Sequence, residues 1–247
     1  MRLSFNKNHK KWFLKDVCRA IATYGMVEEN EPVCVALSGG KDSVALLFML
    51  WYLNCYKTLS FPLSACHIKT DDYDTTVLKD LCGDLEIPYF EGEIRRDDAT
   101  QDTSNICYIC SRLKRGALKE LLEPRGIFKV AYGHHGDDVA ETFFMKMVTG
   151  KTLGSFSPVV GVPLSRLEMI RPMIYLRERT VAGVHAHVGL PLLEYTCPHG
   201  ANNQRADFKE RMAGLEDLFG TPDFVERLVA SLENVDHTNA WEALKVS

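Results

Sequence analysis

The sequence predicts a doubly wound α/β fold with a mostly parallel five-stranded sheet and a C-terminal helical extension. Short apolar runs alternate with longer helical patterns, which is the signature of βαβ units. Groups of polar and charged residues directly follow three of the apolar runs, as expected where ligands bind outside the carboxyl ends of parallel strands. The composition is that of a globular protein, because 46% of the 247 residues are hydrophobic and 25% are charged.

Strands are predicted where a short apolar run is bounded by turn residues, and helices where apolar residues recur at helical spacing. The strands are predicted at residues 33–37, 63–69, 88–92, 128–132 and 169–171. The helices are predicted at residues 10–24, 42–56, 75–85, 109–122, 137–148 and 177–187. Two further helices are predicted within residues 203–232, where Thr221 would be the N-cap of the second and Pro222 would lie in its first turn.

The chain is expected to form a single domain overall. Residues 1–30 would contribute an N-terminal helix, residues 31–155 the core of the sheet, and residues 156–247 the remainder of the core with the C-terminal helices. No stretch approaches 18 uninterrupted apolar residues, and the basic N-terminus lacks the apolar core of a signal peptide. We therefore expect no membrane span and a cytoplasmic protein.

The net charge of −4 predicts no general attraction to nucleic acid, so any such binding must come from local basic patches. Basic residues do cluster near the start, the middle and the end of the chain. A solvated helix face explains each cluster equally well when it is taken alone. The clusters are Lys7, Lys10, Lys11, Lys15 and Arg19, then Arg112, Lys114, Arg115 and Lys119, and finally Arg205, Lys209 and Arg211.

The segment Ser38-Gly39-Gly40-Lys41-Asp42-Ser43 joins a predicted buried strand to a predicted helix and is typical of a phosphate site. Backbone N–H groups at such a helix N-terminus bind anions, and the glycines permit a tight turn and a close approach. Lys41 adds a positive charge, and Ser38 and Ser43 add hydroxyl donors. The Asp42 carboxylate fits beside phosphates only if a metal ion joins them. A strand-to-helix turn with a serine cap is the alternative.

A second group of polar residues, Gly133-His134-His135-Gly136-Asp137-Asp138, lies where another predicted strand gives way to a helix. Helix capping by Asp137 or Asp138, with Glu141 completing a capping box, explains one aspartate but not the whole group. Two carboxylates close to phosphates are suited to Mg²⁺, which prefers oxygen ligands. The group therefore predicts a metal-assisted nucleotide site.

Three of the eight cysteines stand apart from apolar patterns: Cys107 and Cys110 in Cys-Tyr-Ile-Cys, and the distant Cys197. Three thiolates can hold a [4Fe–4S] cluster that leaves one iron open. A persulfide-forming or redox thiol pair is a second interpretation, and a zinc site completed by His199 is a third. The other five are predicted to be buried structural thiols: Cys18, Cys34, Cys55, Cys66 and Cys82.

The basic residues that follow this cysteine pair place Lys114 one helical turn beyond Cys110. They form either a solvated helix face or a surface that neutralises phosphate or RNA beside the cysteines.

Together these motifs resemble the PP-loop ATP pyrophosphatase superfamily. Within it they are most similar to the iron–sulfur-dependent tRNA thiolases, especially the group that makes 2-thiocytidine. The resemblance covers residues 33–212 and includes Arg171-Pro172-Met173-Ile174-Tyr175, Cys197-Pro198-His199-Gly200 and Asn203-Gln204-Arg205. It implies an adenine nucleotide alpha-hydrolase-like, Rossmann-like sheet.

The resemblance also implies roles for individual residues. ATP would bind with its phosphates at residues 38–43, while His134 and Asp137 line the same site. Asp42 and Asp138 would act through Mg²⁺, and Lys114 would stabilise charge. The adenine would lie near His67, Ile68 and Gly133, and Cys107, Cys110 and Cys197 would carry the [4Fe–4S] cluster.

The implied reaction is the adenylation of a pyrimidine carbonyl in tRNA, cytidine above all, followed by replacement of the oxygen by sulfur with release of AMP. The implied partners are tRNA and a sulfide or persulfide donor, and a homodimer is one form of assembly. Three alternatives stay open: a lysidine-synthetase-like tRNA ligase, a small-molecule thiolase, and a non-catalytic sensor of ATP and the cluster.

Overall fold

A computed structural model describes residues 10–56, 59–94, 106–195 and 204–235. These residues form six strands and eight α-helices, which alternate as far as α5. The strands are β1 (Val33–Ala36), β2 (Leu63–Lys69), β3 (Tyr89–Glu93), β4 (Lys129–Ala131), β5 (Val159–Gly161) and β6 (Glu168–Ile170). The helices are α1 (Lys10–Thr23), α2 (Lys41–Cys55), α3 (Thr76–Asp84), α4 (Ile106–Leu122), α5 (Gly136–Gly150), α6 (Glu178–Val188), α7 (Gln204–Phe219) and α8 (Phe224–Glu233).

The strands form one sheet in the order β3-β2-β1-β4-β6-β5. All neighbouring pairs are parallel except β5 and β6, which are antiparallel. The predicted doubly wound class is therefore confirmed, but the predicted number of five strands is wrong. The sixth strand, β5, has three residues that are partly or fully exposed, and it owes its conformation to pairing with β6 rather than to its own apolar pattern.

The predicted helices are all present, and their ends differ from the prediction by at most three residues. The largest difference is at α4, which begins at Ile106. The predicted cap of the last helix is wrong, because Asp223 rather than Thr221 is the N-cap residue of α8. Thr221 instead donates its main-chain N–H to the carbonyl of Glu216 and so closes the end of α7.

Helix α2 is buried on most of its sides, and this fixes the position of the segment that precedes it. It packs against β1 and β2 and against α1 and α6, which explains why its sequence is apolar almost throughout. Phe13 of α1 meets Phe48 and Tyr52 of α2 with ring centroids 6.5 and 5.7 Å apart. Each fully buried side chain of this size contributes about 1.5–3 kcal/mol of stabilisation.

Helix α4 covers the opposite face of the sheet. Leu118 and Leu122 of this helix belong to a buried cluster with Cys34 of β1 and Cys66 of β2. The predicted burial of Cys34, Cys66 and Cys82 is confirmed, whereas Cys55 at the end of α2 is exposed, contrary to the prediction. All six cysteines whose side chains the structure describes are free thiols.

The chain divides into two compact units. One lies within Met1–His135 and Ser157–Asn202 and contains the sheet, and the other lies within Gly136–Phe156 and Asn203–Ser247. The second unit has its own small core, in which α5 packs against α7 and α8. The predicted single domain, with divisions after residues 30 and 155, stays a prediction. No helix in the described ranges is long and apolar enough to cross a membrane.

Candidate functional site

Parallel strands of the first unit bring several distant segments to one edge of the sheet, where their carboxyl ends meet. Residues 38–43 follow β1, residues 70–74 follow β2, residues 133–135 follow β4, and Arg171 follows β6. The beginning of α4 lies at this same edge, because α4 is the crossover from β3 to β4 and runs antiparallel to both.

Residues 38–43, here called the phosphate-type loop, are held in shape by hydrogen bonds of their own two serines. The main-chain N–H of Ser38 donates to Ser43 Oγ at 3.1 Å, and that hydroxyl donates to the carbonyl of Gly40 at 2.9 Å. Ser38 Oγ lies 3.0 Å from Ser43 Oγ and accepts from the N–H of Gly40 at 3.3 Å. The hydroxyls predicted to contact a ligand therefore hold the loop in shape.

The start of α2 has no side-chain cap. Its N-cap residue is Gly40, and no side-chain hydrogen bond closes this end of the helix. Gly39 has φ +85°, a left-handed conformation that favours glycine, and Leu193 packs directly on it. The N–H of Leu193 also donates to the carbonyl of Gly39 at 3.0 Å. The geometry is that of an anion site at a helix N-terminus.

Lys41 lies between two carboxylates. Its ammonium group is 2.8 Å from Asp42 Oδ1 and 2.9 Å from Oε1 of Glu178, which is in the first turn of α6. Burial lowers the pKa of Lys41, but the hydrogen bonds and charges of Asp42 and Glu178 outweigh it and leave the pKa above its ordinary value. Lys41 is therefore a stable cation, and an anionic ligand would compete with these two carboxylates for it.

Gly133 makes the closest backbone approach in the site. A Cβ atom at this position would lie 2.8 Å from the carbonyl carbon of Asp42 and 2.9 Å from the main-chain nitrogen of Ser43. The neighbouring His135 is buried, with Nε2 3.8 Å from Asp42 Oδ1. The end of β4 thus packs directly on the first turn of α2.

The tautomer of His134 is set by Arg171. Arg171 is buried, and its Nε–H donates to His134 Nδ1 at 3.2 Å while Nη1 donates to the carbonyl of Ser157. Because a guanidinium can only donate, Nδ1 must be the accepting nitrogen, which leaves the proton on Nε2. The ring is also held by parallel stacking on Tyr132, with centroids 5.9 Å apart. The neutral His134 ring therefore carries its proton on Nε2.

We expect Arg171→Leu to release this tautomer. The change leaves the carbonyl of Ser157 and His134 Nδ1 without their buried donor, at a cost of about 1–3 kcal/mol for each group. Two-bond ¹H–¹⁵N correlation spectra should report the Nε2–H form in the wild type and a mixture of tautomers in the variant. A variant spectrum with the same pure tautomer would contradict this role for Arg171.

His67 and Ile68 face into the protein. His67 Nδ1 donates to the carbonyl of Leu37 at 2.6 Å, and Nε2 accepts from the hydroxyl of Tyr73 at 2.8 Å. Burial lowers the pKa of His67 and keeps it neutral, and the charge of Lys114 lowers it further. The Ile68 side chain belongs to the buried cluster under α4. Any ligand contact at these two positions is therefore left to the main chain.

Residues 191–195 form a strap along this edge of the sheet. The Tyr195 ring stacks on Tyr73 with centroids 4.0 Å apart and an interplanar angle of 20°. Its hydroxyl donates to the Asp71 carboxylate and lies 3.3 Å from Thr70 Oγ1. Together with the contact of Leu193 on Gly39, these bonds attach the strap to the phosphate-type loop and to the turn after β2.

Helix α4 carries Cys110 and Lys114 on the side of its axis that faces the sheet. At 100° per residue, positions 110 and 114 fall within about 80° of Leu118 and Leu121, which pack on the sheet. Cys110 is a partly exposed free thiol, and Lys114 is close enough to the end of β2 to lower the pKa of His67. The side chain of Cys107 and the whole of Cys197 lie outside the described residues.

Asp137 and Asp138 lie in the first turn of α5, which begins at Gly136 in the second unit. Within the described ranges, no group of three metal-ligating side chains comes together.

Sequence reasoning missed several residues of this edge. Glu178, His135 and Arg171 contact predicted site residues, and Leu193 and Tyr195 form the strap. Arg171 carried a signal as part of the motif that follows β6, and His135 as part of the polar group at residues 133–138. The others join the site through contacts that span up to 154 residues, as from Gly39 to Leu193.

Known protein families include one that matches most of this chain. A PP-loop domain family matches residues 6–192. The chain belongs to this family. The PP-loop protein is also 32% identical over 242 residues to a tRNA-cytidine(32) 2-sulfurtransferase of Vibrio campbellii, covering 94% of this chain and 80% of that protein. A tRNA-cytidine(32) 2-sulfurtransferase of Saccharophagus degradans is 33% identical over 243 residues, with 95% and 77% covered. The predicted kinship is confirmed.

Solved structures share its fold. The U34-tRNA thiolase NcsA from Methanococcus maripaludis, solved with its [4Fe-4S] cluster, matches with a TM-score of 0.71 at 21% identity, over 95% of this chain and 86% of that one. The NAD+ synthetase from Burkholderia pseudomallei matches with a TM-score of 0.52 at 15% identity, over 99% and 93%. The PP-loop protein thus has the predicted adenine nucleotide alpha-hydrolase-like fold.

Proposed function

We propose that this PP-loop protein converts a cytidine of tRNA to 2-thiocytidine, using ATP to activate the C2 carbonyl. As a member of the family of tRNA-cytidine(32) 2-sulfurtransferases, it is an ATP-dependent sulfurtransferase. One observation carries the proposal: the edge of the sheet that holds the phosphate-type loop also receives the beginning of the cysteine-bearing helix α4. A site for nucleotide activation and a site for sulfur delivery are thereby adjacent.

In the proposed first step, the carbonyl oxygen of the pyrimidine attacks the α-phosphorus of ATP. The bond between that phosphorus and the bridging oxygen breaks, and pyrophosphate leaves. The N–H groups at the start of α2 and the ammonium of Lys41 would bind the pyrophosphate oxygens. His134 would donate through Nε2 to a phosphate oxygen, and Lys114, at the same edge, would offset the charge that develops during transfer.

In the second step, a sulfur nucleophile attacks C2 and AMP leaves with the original carbonyl oxygen. With hydrosulfide as the donor, no electrons are transferred overall, whereas a persulfide donor would require a two-electron reductant. This difference makes hydrosulfide the simpler donor. A cytoplasmic location follows from the proposed tRNA substrate, and the homodimer stays a prediction.

Two resident groups complete the proposal. The thiolates of Cys107, Cys110 and Cys197 would hold a [4Fe–4S] cluster with one open iron, and the partly exposed thiol of Cys110 fits this role. A cluster bound there would hold and polarise the sulfur to be delivered. Asp42 offers carboxylate oxygens of the kind that Mg²⁺ prefers, and the cation would neutralise phosphate charge. The part of Asp138 in holding Mg²⁺ stays a prediction.

The test is a turnover assay with anaerobically prepared holoprotein, ATP, Mg²⁺, sulfide and unmodified tRNA. We expect 2-thiocytidine in the digested tRNA, with AMP and pyrophosphate formed in equal amounts. AMP release without tRNA, in the presence of free cytidine, would favour a small-molecule thiolase. Lysidine formed after addition of lysine would favour the ligase. If no AMP formed under any of these conditions, the remaining interpretation would be a non-catalytic sensor of ATP and the cluster.

Loss of Cys110 should remove the cluster. Mutation of a residue that only hydrogen-bonds to a metal ligand lowers metal affinity about 10–100-fold. Loss of a ligand itself in Cys110→Ser should therefore lower bound iron at least about tenfold. Cys55→Ser is the matched control, since Cys55 is an exposed free thiol at the far end of α2. Iron and sulfide content and the visible absorbance are the readouts. Equal amounts of bound iron in the two variants would show that Cys110 is not a ligand of the cluster.

A further inference from the structure

Helix α4 has a second, outward flank that is strongly basic. At 100° per residue, Arg112, Arg115 and Lys119 fall within about 60° of one another, and they span about 10.5 Å along the helix. The single acidic residue of this helix, Glu120, is at least about 80° away from all three around the axis. A chain with a net charge of −4 thus concentrates positive charge along one line.

Most of these cations are not used in ion pairs that stabilise the fold. No ion pair involves Arg112 or Arg115 within the described ranges, and Arg112 is exposed. Lys119 donates to the carbonyl of Leu164, in the turn between β5 and β6, at 2.6 Å. This acceptor is a neutral carbonyl, and the Glu123 carboxylate just beyond α4 is close enough to act on both Lys119 and Arg166. Structural salt bridges therefore do not explain the line of basic residues.

The turn between β5 and β6 adds a fourth cation to the line. Arg166 is exposed, and its guanidinium carbon lies 3.9 Å from the centroid of the Phe128 ring, which fixes its plane. Glu123, just beyond α4, accepts from the N–H of Arg166 and the hydroxyl of Ser165, both at 2.7 Å. The turn and the end of α4 are thus attached to each other, and the basic flank extends onto the turn.

The flank begins beside the candidate site. Arg112 and Arg115 are next to Lys114, whose charge acts on His67 at the end of β2, and α4 begins at the sheet edge that carries the phosphate-type loop. A polyanion that places one base at this edge would carry its backbone past the start of α4. Such a line of four cations, with the single carboxylate of Glu123 near its far end, fits a nucleic-acid backbone, because phosphate contacts position the polymer without reading its sequence.

We propose that the flank formed by Arg112, Arg115, Lys119 and Arg166 binds the phosphate backbone of the substrate RNA and positions the target base at the site. This inference rests on the proposed function and adds to it the surface that holds the tRNA.

The test uses the full-length holoprotein and a fluorescently labelled, unmodified tRNA transcript, with anisotropy measured over a range of salt concentrations. The variant is Arg112→Gln, Arg115→Gln and Lys119→Gln combined, which keeps hydrogen-bonding capacity and removes three charges. Loss of three phosphate contacts should reduce the slope of log K against log salt by about 2–3 and weaken binding roughly 50- to 150-fold at ~0.15 M salt. ATP affinity and thermal unfolding should stay at wild-type values.

The matched control removes three charges outside the basic patches, in Lys79→Gln, Lys151→Gln and Arg227→Gln combined; these residues are exposed on α3, directly after α5 and on α8. It should change the slope by less than about one. A slope change below about one in the α4 variant, or an equal change in both variants, would overturn the proposal. Wild-type protein that neither binds nor thiolates tRNA would overturn the proposed function itself, whereas wild-type thiolation with an unchanged α4 variant overturns only the assignment of this surface.

Discussion

Gly133→Ala should reduce pyrophosphate release from ATP by at least about 100-fold. A Cβ at position 133 would lie within 3.0 Å of the main chain of Asp42 and Ser43. Backbone atoms cannot turn aside as a flexible side chain can, so the end of β4 and the start of α2 must move apart. A displacement of about 1 Å in a catalytic arrangement costs on the order of 10²-fold in rate. The readout is tRNA-dependent pyrophosphate release by the holoprotein.

The control for this change is Gly83→Ala in α3, where an added Cβ meets no atom within 4 Å. It should keep wild-type turnover and gain about 0.5–1 kcal/mol of stability, because alanine is favoured over glycine in a helix. Gly133→Ala should lose about 1–3 kcal/mol from overpacking. Near-normal pyrophosphate release by a folded Gly133→Ala variant would mean that the junction of β4 and α2 is not part of the site.

Asp42→Asn should abolish adenylation while the fold persists. The side chain is about one-third exposed and its partners are Lys41 and His135, so its charge serves the site rather than the core. Removing one well-placed charged group from such a site costs about 10²–10³-fold in rate. Steady-state AMP release measures the loss, and thermal unfolding should differ little from that of the wild type.

Asp80→Asn is the matched control, because Asp80 is an exposed carboxylate on α3. It should leave AMP release unchanged. If Asp42→Asn turned over ATP at the wild-type rate, the Asp42 carboxylate would have no part in phosphate chemistry.

Local sequence signals accounted for much of the fold. The glycines and serines at residues 38–43 and the apolar runs on either side are contiguous, so the strand, the loop and α2 could all be predicted from them. Strand β5 could not, because three residues, two of them exposed, carry no periodic pattern, and only their pairing with β6 makes them a strand.

The site was predictable where its residues are neighbours in sequence and not where the fold joins distant ones. Lys41 was evident, but its second carboxylate, Glu178, lies 137 positions further on and reaches it because α6 packs on α2. The internal hydrogen bonds of the serine pair could not be predicted, since residue type indicates hydroxyl donors but cannot say that Ser43 is buried and bonded to Gly40. Ligand contact by these hydroxyls stays a prediction.

The ion pairs of Lys41 bear on which ligands this site admits. Its ammonium and the Asp42 carboxylate already compensate each other at 2.8 Å, with Glu178 at 2.9 Å on the other side. An incoming anion that takes Lys41 away leaves two carboxylates exposed to each other's repulsion. A bare phosphate or AMP brings nothing to relieve them, whereas a triphosphate that arrives with its own divalent cation supplies both signs of charge at once. We therefore expect the loop to bind a nucleotide together with its divalent cation more tightly than a free anion.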